Sequence, residues 1–394
     1  MEEMNNSDSV SYIFSWNRLI RLCKMDNMDE KEKQEIIDAI MFLKNEFDNN
    51  FLLDTQDSHF LPQQLVKNST LNRHRFLWLK WFASSYQRLK EHKSANLLIK
   101  MIKNRNASSG VLNELVYIDK FLQSNFTIEL YPRRQKKKPD VAVTMYSRAF
   151  DVEITHQEPK KSITDFLNAY FFLNEPFFKN DLRRSQFDSA IVLLTPYLAK
   201  ETIKSINVIL DQTIRTAIKE ETIISGKINH LLKYVVGHVK KREEIKKWCD
   251  ENNTQINTIQ LESNLLESAI SSFMGKINSK MKENLRNSEN SLLMITEPNL
   301  FFLNDLNGNE DFDEIVVKSM QIILDHPKLL AVILGSGLYS RPERLAHKEK
   351  NEYTLISNEN DVNNSYYLII WNNKATNILT KKEKAELCSL LARG

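Results

Sequence analysis

Glycine, proline and cysteine are scarce in this chain: eight, nine and three among 394 residues. So few glycines and prolines exclude collagen-like repeats and low-complexity linkers. Cys23, Cys249 and Cys388 are scattered, giving neither a disulfide framework nor a zinc spacing, as expected of a protein kept in a reducing cytoplasm. His59, His74 and His92 likewise lack ligand spacing for zinc. No apolar run nears the ~20 residues of a membrane span, so no membrane association is expected. The acidic start, Met1 to Asp8, lacks the basic and apolar parts of a signal peptide. There is no GxxxxGK[ST] or GxGxxG, and Gly335-Ser336-Gly337 reads as a strand-to-loop turn. No Ser-His-Asp or Cys-His arrangement, no RRM, KH or helix-turn-helix signature and no solenoid repeat stands out.

An excess of one charge is also missing. Lysine and arginine number 54 against 51 acidic residues, a net +3, so any nucleic-acid surface must be local. What is present is an ordinary globular composition, 42% apolar and 27% charged, in a chain long enough for two or three domains.

Residues 1–105 read as an N-terminal helical domain. Trp16, Leu19, Ile20 and Cys23 recur at helical spacing, and Asp29 followed by Glu32 marks a capped helix start. The aromatic run Phe76 to Phe82 lies between basic clusters, which suits nucleic-acid stacking, but apolar residues all round a helix point to burial. Asn106 to Gly110 is the clearest linker. Residues 110–394 then read as an α/β domain. A helix carrying Glu114 precedes a strand from Phe126 to Tyr131, and Ala190 to Thr195 reads as a buried central strand. The segment 198–252 reads as a helical insertion whose Lys240 to Lys247 cluster alternates with acids on a solvated face. Strands expected near 257–261, 291–296, 329–334 and 366–371 make 257–394 either the completion of the sheet or a separate C-terminal α/β domain.

The chemistry concentrates between Asn113 and Lys161. Val141 to Tyr146 and Ala149 to Thr155 alternate as half-buried strands, with Ser147-Arg148 as the expected turn. That turn sets Thr144 opposite Asp151, Ala142 opposite Glu153 and Asp140 opposite Thr155. Asp140, Glu153 and Thr155 then share one face at the open end of the hairpin, with Val141, Val143, Phe150, Val152 and Ile154 on the other. A slip of one residue would turn the acids away. Converging carboxylates repel unless a cation lies between them, and hard divalent ions such as Mg²⁺ bind through one or two carboxylates, waters and phosphates. The run Arg133-Arg134-Gln135-Lys136-Lys137-Lys138 leads straight into Asp140. A metal dyad beside such a run suits a phosphodiester.

The order Glu114 helix, strand, Pro139-Asp140 and Glu153-Ile154-Thr155 resembles the PD-(D/E)xK nuclease superfamily. The resemblance covers roughly residues 110 to 200 and implies a restriction-endonuclease-like mixed central sheet flanked by helices. It implies Asp140 and Glu153 as ligands of Mg²⁺ or Mn²⁺, Ile154 as a backbone carbonyl donor and Glu114 as an outer carboxylate. Thr155 stands where the family has its lysine. The family includes active members with another residue there, so the resemblance leaves Thr155 itself as a catalytic candidate, with Lys160, Lys161 or His156 able to reach the site, and a site without chemistry as the alternative. Asp151 with Glu153 is a second acidic register at fitting spacing. The expectation is a metal-dependent endonuclease acting on DNA, with Arg133, Arg134, Lys136, Lys137 and Lys138 on the phosphates. By analogy with its relatives in resemblance, it would be a homodimer in restriction or antiphage defence. A catalytically inactive binding or assembly module, and a nuclease of RNA or single strands, remain the alternatives.

Overall fold

The computed structural model describes residues 15–67, 72–132, 139–157, 161–174, 176, 185–261, 265–283, 285, 288–306, 312–337, 348–358, 361–364 and 366–393. They form two compact units: residues 1–157, 274–298 and 313–394, and residues 158–273 with 299–312. Among the described residues no helix is long and apolar enough to cross a membrane.

The first unit is mixed α/β. It opens with helices α1 (Trp16–Met25), α2 (Glu30–Glu46), α3 (Phe51–Asp54), α4 (Phe60–Lys67), α5 (Asn72–Glu91), α6 (Asn96–Ile102) and α7 (Ser109–Leu122). Asp29 caps α2 as its sequence predicts, its carboxylate accepting from the Glu32 N–H at 3.0 Å. The aromatic stretch of α5 is buried: Phe76, Trp78, Leu79 and Phe82 join one core with Trp16 of α1, Ile40 of α2 and Phe47 just after it. That core runs on without a break into the sheet, taking in Leu115, Ile118 and Phe121 of α7 and Val141, Phe150 and Val152. The Asn106–Gly110 segment is therefore a turn within this unit, with Ala107 buried and its carbonyl bonded to the Phe60 N–H. The N-terminal helices and the sheet cluster together, not as two bodies.

The sheet has the order β1-β2-β3-β8-β9-β12-β11-β10. Strands β1 (Thr127–Leu130), β2 (Val141–Met145) and β3 (Arg148–His156) form an antiparallel meander. Strand β3 runs parallel to β8 (Ser291–Thr296), and β8 to β9 (Leu329–Gly335). The antiparallel set β12 (Tyr366–Trp371), β11 (Tyr353–Ser357) and β10 (Lys348–Glu349) closes the other edge, and β10 and β11 have no counterpart in the sequence reading. Every residue of β8, β9 and β12 is buried, which explains their unbroken apolar sequences.

The second unit corrects two sequence expectations. Its sheet is β5-β6-β4-β7, built on β4 (Phe187–Leu193) with β7 (Thr258–Leu261) parallel to it. The apolar run near Ala190 is the buried central strand its sequence predicts, but Thr258–Leu261 pairs with it here instead of completing the larger sheet or joining a separate C-terminal domain. The segment 198–252 is not wholly helical: helix Lys200–Glu220 is followed by the hairpin β5 (Ile223–Ile228) and β6 (Leu232–His238), then helix Arg242–Glu251. Helical periodicity misled there because β5 alternates exposed and half-buried residues, leaving no apolar run to mark it. Lys240 pairs with Glu221 and Lys241 with Glu244, so this basic cluster is a salt-bridged surface.

Candidate functional site

The hairpin β2–β3 is where the acidic residues gather, and its register differs from the expected one. The turn is Tyr146-Ser147, with Tyr146 in the left-handed region at φ 56°. Val141 pairs with Val152, Ala142 with Asp151 and Thr144 with Ala149. Compared with the expected pairing the strands have slipped by two residues, and a slip of two preserves the faces. Continued by one step, the register sets Asp140 opposite Glu153 in place of Thr155. The apolar face, Val141, Val143, Phe150, Val152 and Ile154, packs into the core as the alternation predicts.

Asp140 is fixed from two sides. Its carbonyl accepts from the Tyr131 N–H at 2.8 Å, and its Oδ2 accepts from the Ile154 N–H at 2.7 Å. Tyr131, at φ 50°, ends β1 and turns its hydroxyl to donate to Glu114 Oε2. Glu114 thus reaches the hairpin from α7. Glu153 is buried, and its Oε1 accepts from Lys280 Nζ at 2.7 Å. Lys280 belongs to α11 (Leu265–Glu283), the helix α8 being Lys161–Leu173, α9 Lys200–Glu220 and α10 Arg242–Glu251.

The electrostatics follow from this crowding. Burial pushes the Asp140 carboxyl up to about 8, with Glu153 and then Glu114 adding to the rise; the Ile154 N–H and Lys280 oppose it. Burial also raises Glu114, the Tyr131 hydrogen bond opposing and Glu153 reinforcing. Burial and Glu114 together drive the Tyr131 hydroxyl well above its ordinary range. Among the described residues three carboxyls meet one ammonium here, and poor hydration favours a proton or a cation on such carboxyls.

Asp140, Glu153 and Glu114 are the predicted residues that come together here. Thr155 lies on β3 beside Ile295 of β8, half-buried and two residues beyond Glu153. Asp151 is bound elsewhere: its Oδ2 accepts from Ser288 Oγ at 2.7 Å. His156, one residue beyond Thr155, lines a cavity together with Ser109, Leu112 and Asn113 of α7. Lys161 is exposed at the start of α8 and belongs to the second unit. Lys160 and the run Arg133, Arg134, Lys136, Lys137 and Lys138 lie outside the described residues.

The lysine that meets Glu153 is Lys280, 127 residues further along the chain. Sequence reasoning missed it because its neighbourhood is an unremarkable amphipathic helix; its one signal is that α11 leads into β8, the strand beside β3.

As for a metal, the donors fit a hard ion: carboxylates of Asp140 and Glu153 and, on the same edge of β3, the Ile154 carbonyl. The N–H and C=O of a strand residue point to the same neighbour, and the Ile154 N–H points to Asp140. Among the described residues no group of three or more His, Cys, Asp or Glu is arranged to hold a metal ion. Two carboxylates suffice for Mg²⁺, which keeps several waters and takes substrate oxygens.

No protein-family model, curated protein or solved structure matches this chain.

Proposed function

We propose that this chain is a metal-dependent phosphodiesterase, an endonuclease acting on DNA, with a restriction-endonuclease-like active site built on β2 and β3. The observation that carries the reading is the convergence of Asp140, Glu114 and buried Glu153 at the hairpin end, with Asp140 held by the Ile154 N–H, Glu114 by Tyr131 and Glu153 by Lys280. Packing has no use for three carboxyls there, and burying them lowers stability. A functional site is the ordinary reason for such an arrangement. Asp140, Glu153 and the Ile154 carbonyl would hold Mg²⁺ or Mn²⁺, which supplies Lewis-acid charge and an acidified water.

The chain's own residues do the rest. The Ile154 N–H orients the Asp140 carboxylate, Tyr131 fixes Glu114, and apolar β2 and β3 side chains keep bulk water from beneath the site. Lys280 takes the place of the lysine that Thr155 does not provide. Its ammonium neutralises Glu153 and lies where it can orient a water or bind a phosphate oxygen. The basic run 133–138 would hold the phosphate backbone.

The same Lys280–Glu153 ion pair supports a second reading, a nuclease-like module without chemistry, in which the ammonium replaces the metal. The deciding experiment incubates full-length protein with supercoiled plasmid in Mg²⁺, Mn²⁺ or EDTA. Cleavage that needs metal and disappears in Asp140→Ala and Glu153→Ala, both folded by circular dichroism, supports the nuclease. Undiminished cleavage in either variant overturns the assignment. Salt-dependent DNA binding without cleavage favours the module.

A further inference from the structure

A cavity of about 400 Å³ opens at the carboxyl ends of the parallel strands β3, β8 and β9, where His156, Thr296 and Gly337 line it. Crevices at the carboxyl ends of parallel strands are where α/β sheets bind ligands, and this volume falls in the range of small-molecule pockets. The start of α7 also lines it, through Ser109, Leu112 and Asn113. Gln64, Trp78 and Asn363 complete the polar and aromatic lining.

Among the described residues the lining holds no Asp, Glu, Lys or Arg side chain, and His156 is its ionisable group. Instead it holds amides, which present a donor and an acceptor side by side. One of these donors is unspent. The Asn363 Oδ1 accepts from the Trp78 indole N–H at 3.2 Å, while the Asn363 amide nitrogen is buried without a hydrogen-bond partner. A buried amide donor left unmatched costs stability, so a ligand acceptor is its natural complement. Asn364 is spent: its Oδ1 accepts from the Gly337 N–H at 2.9 Å and its amide donates to Tyr367 at 3.2 Å, which fixes the floor. α7 begins without a side-chain cap, since Ser108 makes no capping bond. Its first-turn N–H groups favour an anion there.

Uncharged amides beside an aromatic wall suit the edge of a heterocyclic base, which Asn and Gln read through paired donor and acceptor atoms. The positive end of a helix suits a phosphate. We propose that this cavity binds one nucleotide, its base against Asn363, Gln64 and Asn113 and its phosphate toward the start of α7. The cavity adjoins the acidic site in sequence: Asn113 precedes Glu114, and His156 is three residues, roughly 10 Å, beyond Glu153 along β3. The nucleotide is either one turned out of a bound strand or a free one. The first source rests on the phosphodiesterase reading; the second does not.

The test uses full-length protein in EDTA, so that cleavage plays no part. Calorimetric titration with each deoxynucleoside monophosphate, with deoxynucleosides and with inorganic phosphate reads free-ligand binding. Fluorescence of 2-aminopurine placed along a DNA duplex reads an unstacked base. Asn363→Asp keeps the shape and removes the unspent donor; Asn113→Leu fills the α7 side. Either signal in wild type, weakened at least tenfold in both variants with unchanged circular dichroism and melting, supports the cavity, and which signal appears identifies the source. Absence of both signals, or binding undiminished in both variants, overturns it. Asp140→Ala retains nucleotide binding, so loss of cleavage and loss of this site are read separately.

Discussion

At the scale of single residues, Asp140 carries the clearest consequence. In the unfolded chain its carboxyl ionises near 3.8, while in the fold burial and Glu153 hold it protonated up to about 8. Between those values the folded state binds a proton that the unfolded chain has released, so stability falls as pH rises and levels off above the upper value. Asp140→Asn is uncharged throughout. It should be the more stable protein at pH 8, by on the order of a few kcal/mol, with little difference at pH 4; urea midpoints in EDTA across this range decide it. Lys280 bears on the chemistry instead. Under the nuclease reading Lys280→Met should cut turnover roughly 10²-fold, the cost of losing one well-placed donor, with Lys280→Arg recovering part of it. If Lys280→Met cleaves as well as wild type, the lysine's role is confined to packing.

Among the elements, the N-terminal helices contain a built-in sensitivity to acid. His59 is buried between them, its Nδ1 accepting from the Leu61 N–H at 3.0 Å and its Nε2 lying 2.9 Å from the Ile102 carbonyl. That pattern requires the neutral ring, protonated on Nε2; a second proton would meet the Leu61 N–H head on. Burial accordingly lowers its pKa, the Ile102 bond opposing. The unfolded chain takes up a proton near 6.5 that the fold refuses, so this contribution to stability is complete above 6.5 and lost as pH falls below it. Asp140 pulls stability the other way over this range, so the expected result is a difference: the stability advantage of wild type over His59→Gln in urea shrinks from pH 7 to pH 5. Elsewhere α5 and α7 are joined by Arg88, whose Nε and Nη2 clasp Asp119 at 2.8 and 3.0 Å.

For the first unit as a whole, the C-terminal segment is locked to the sheet by a buried ion pair. Lys120 of α7 meets Asp361 at 2.8 Å and also donates to the Arg393 carbonyl. Asp361 accepts further from Tyr367 at 2.8 Å and from the Asn363 N–H at 2.8 Å. Removing one partner strands the other's charge in the interior, a loss of about 3–5 kcal/mol. Asp361→Ala should therefore lower the urea midpoint by that order, and through Asn363 and Asn364 it should loosen the cavity wall as well.

The sequence by itself determined the local facts. Alternation in Val141 to Met145 and Phe150 to Ile154 set which face of the hairpin is apolar, and that survived a two-residue error in register because the side-chain period is two. The unbroken apolar strings of β8, β9 and β12 declared buried strands, and Asp29 declared a helix start. It did not determine which strands lie side by side: β4 reads like β8, yet one sits in the small sheet and the other beside β3. Nor did it reveal β5, β6, β10 and β11: β5 alternates exposed and half-buried residues and β10 is two residues long, while β6 and β11 are largely buried strands whose local pattern did not set them apart. The tertiary structure alone brought Lys280 to Glu153 and gathered Gln64, Asn113, His156 and Asn363 around one cavity. The reason is physical: periodicity records how a segment meets water and core, whereas contact between residues 127 apart depends on strand order, which no local pattern encodes.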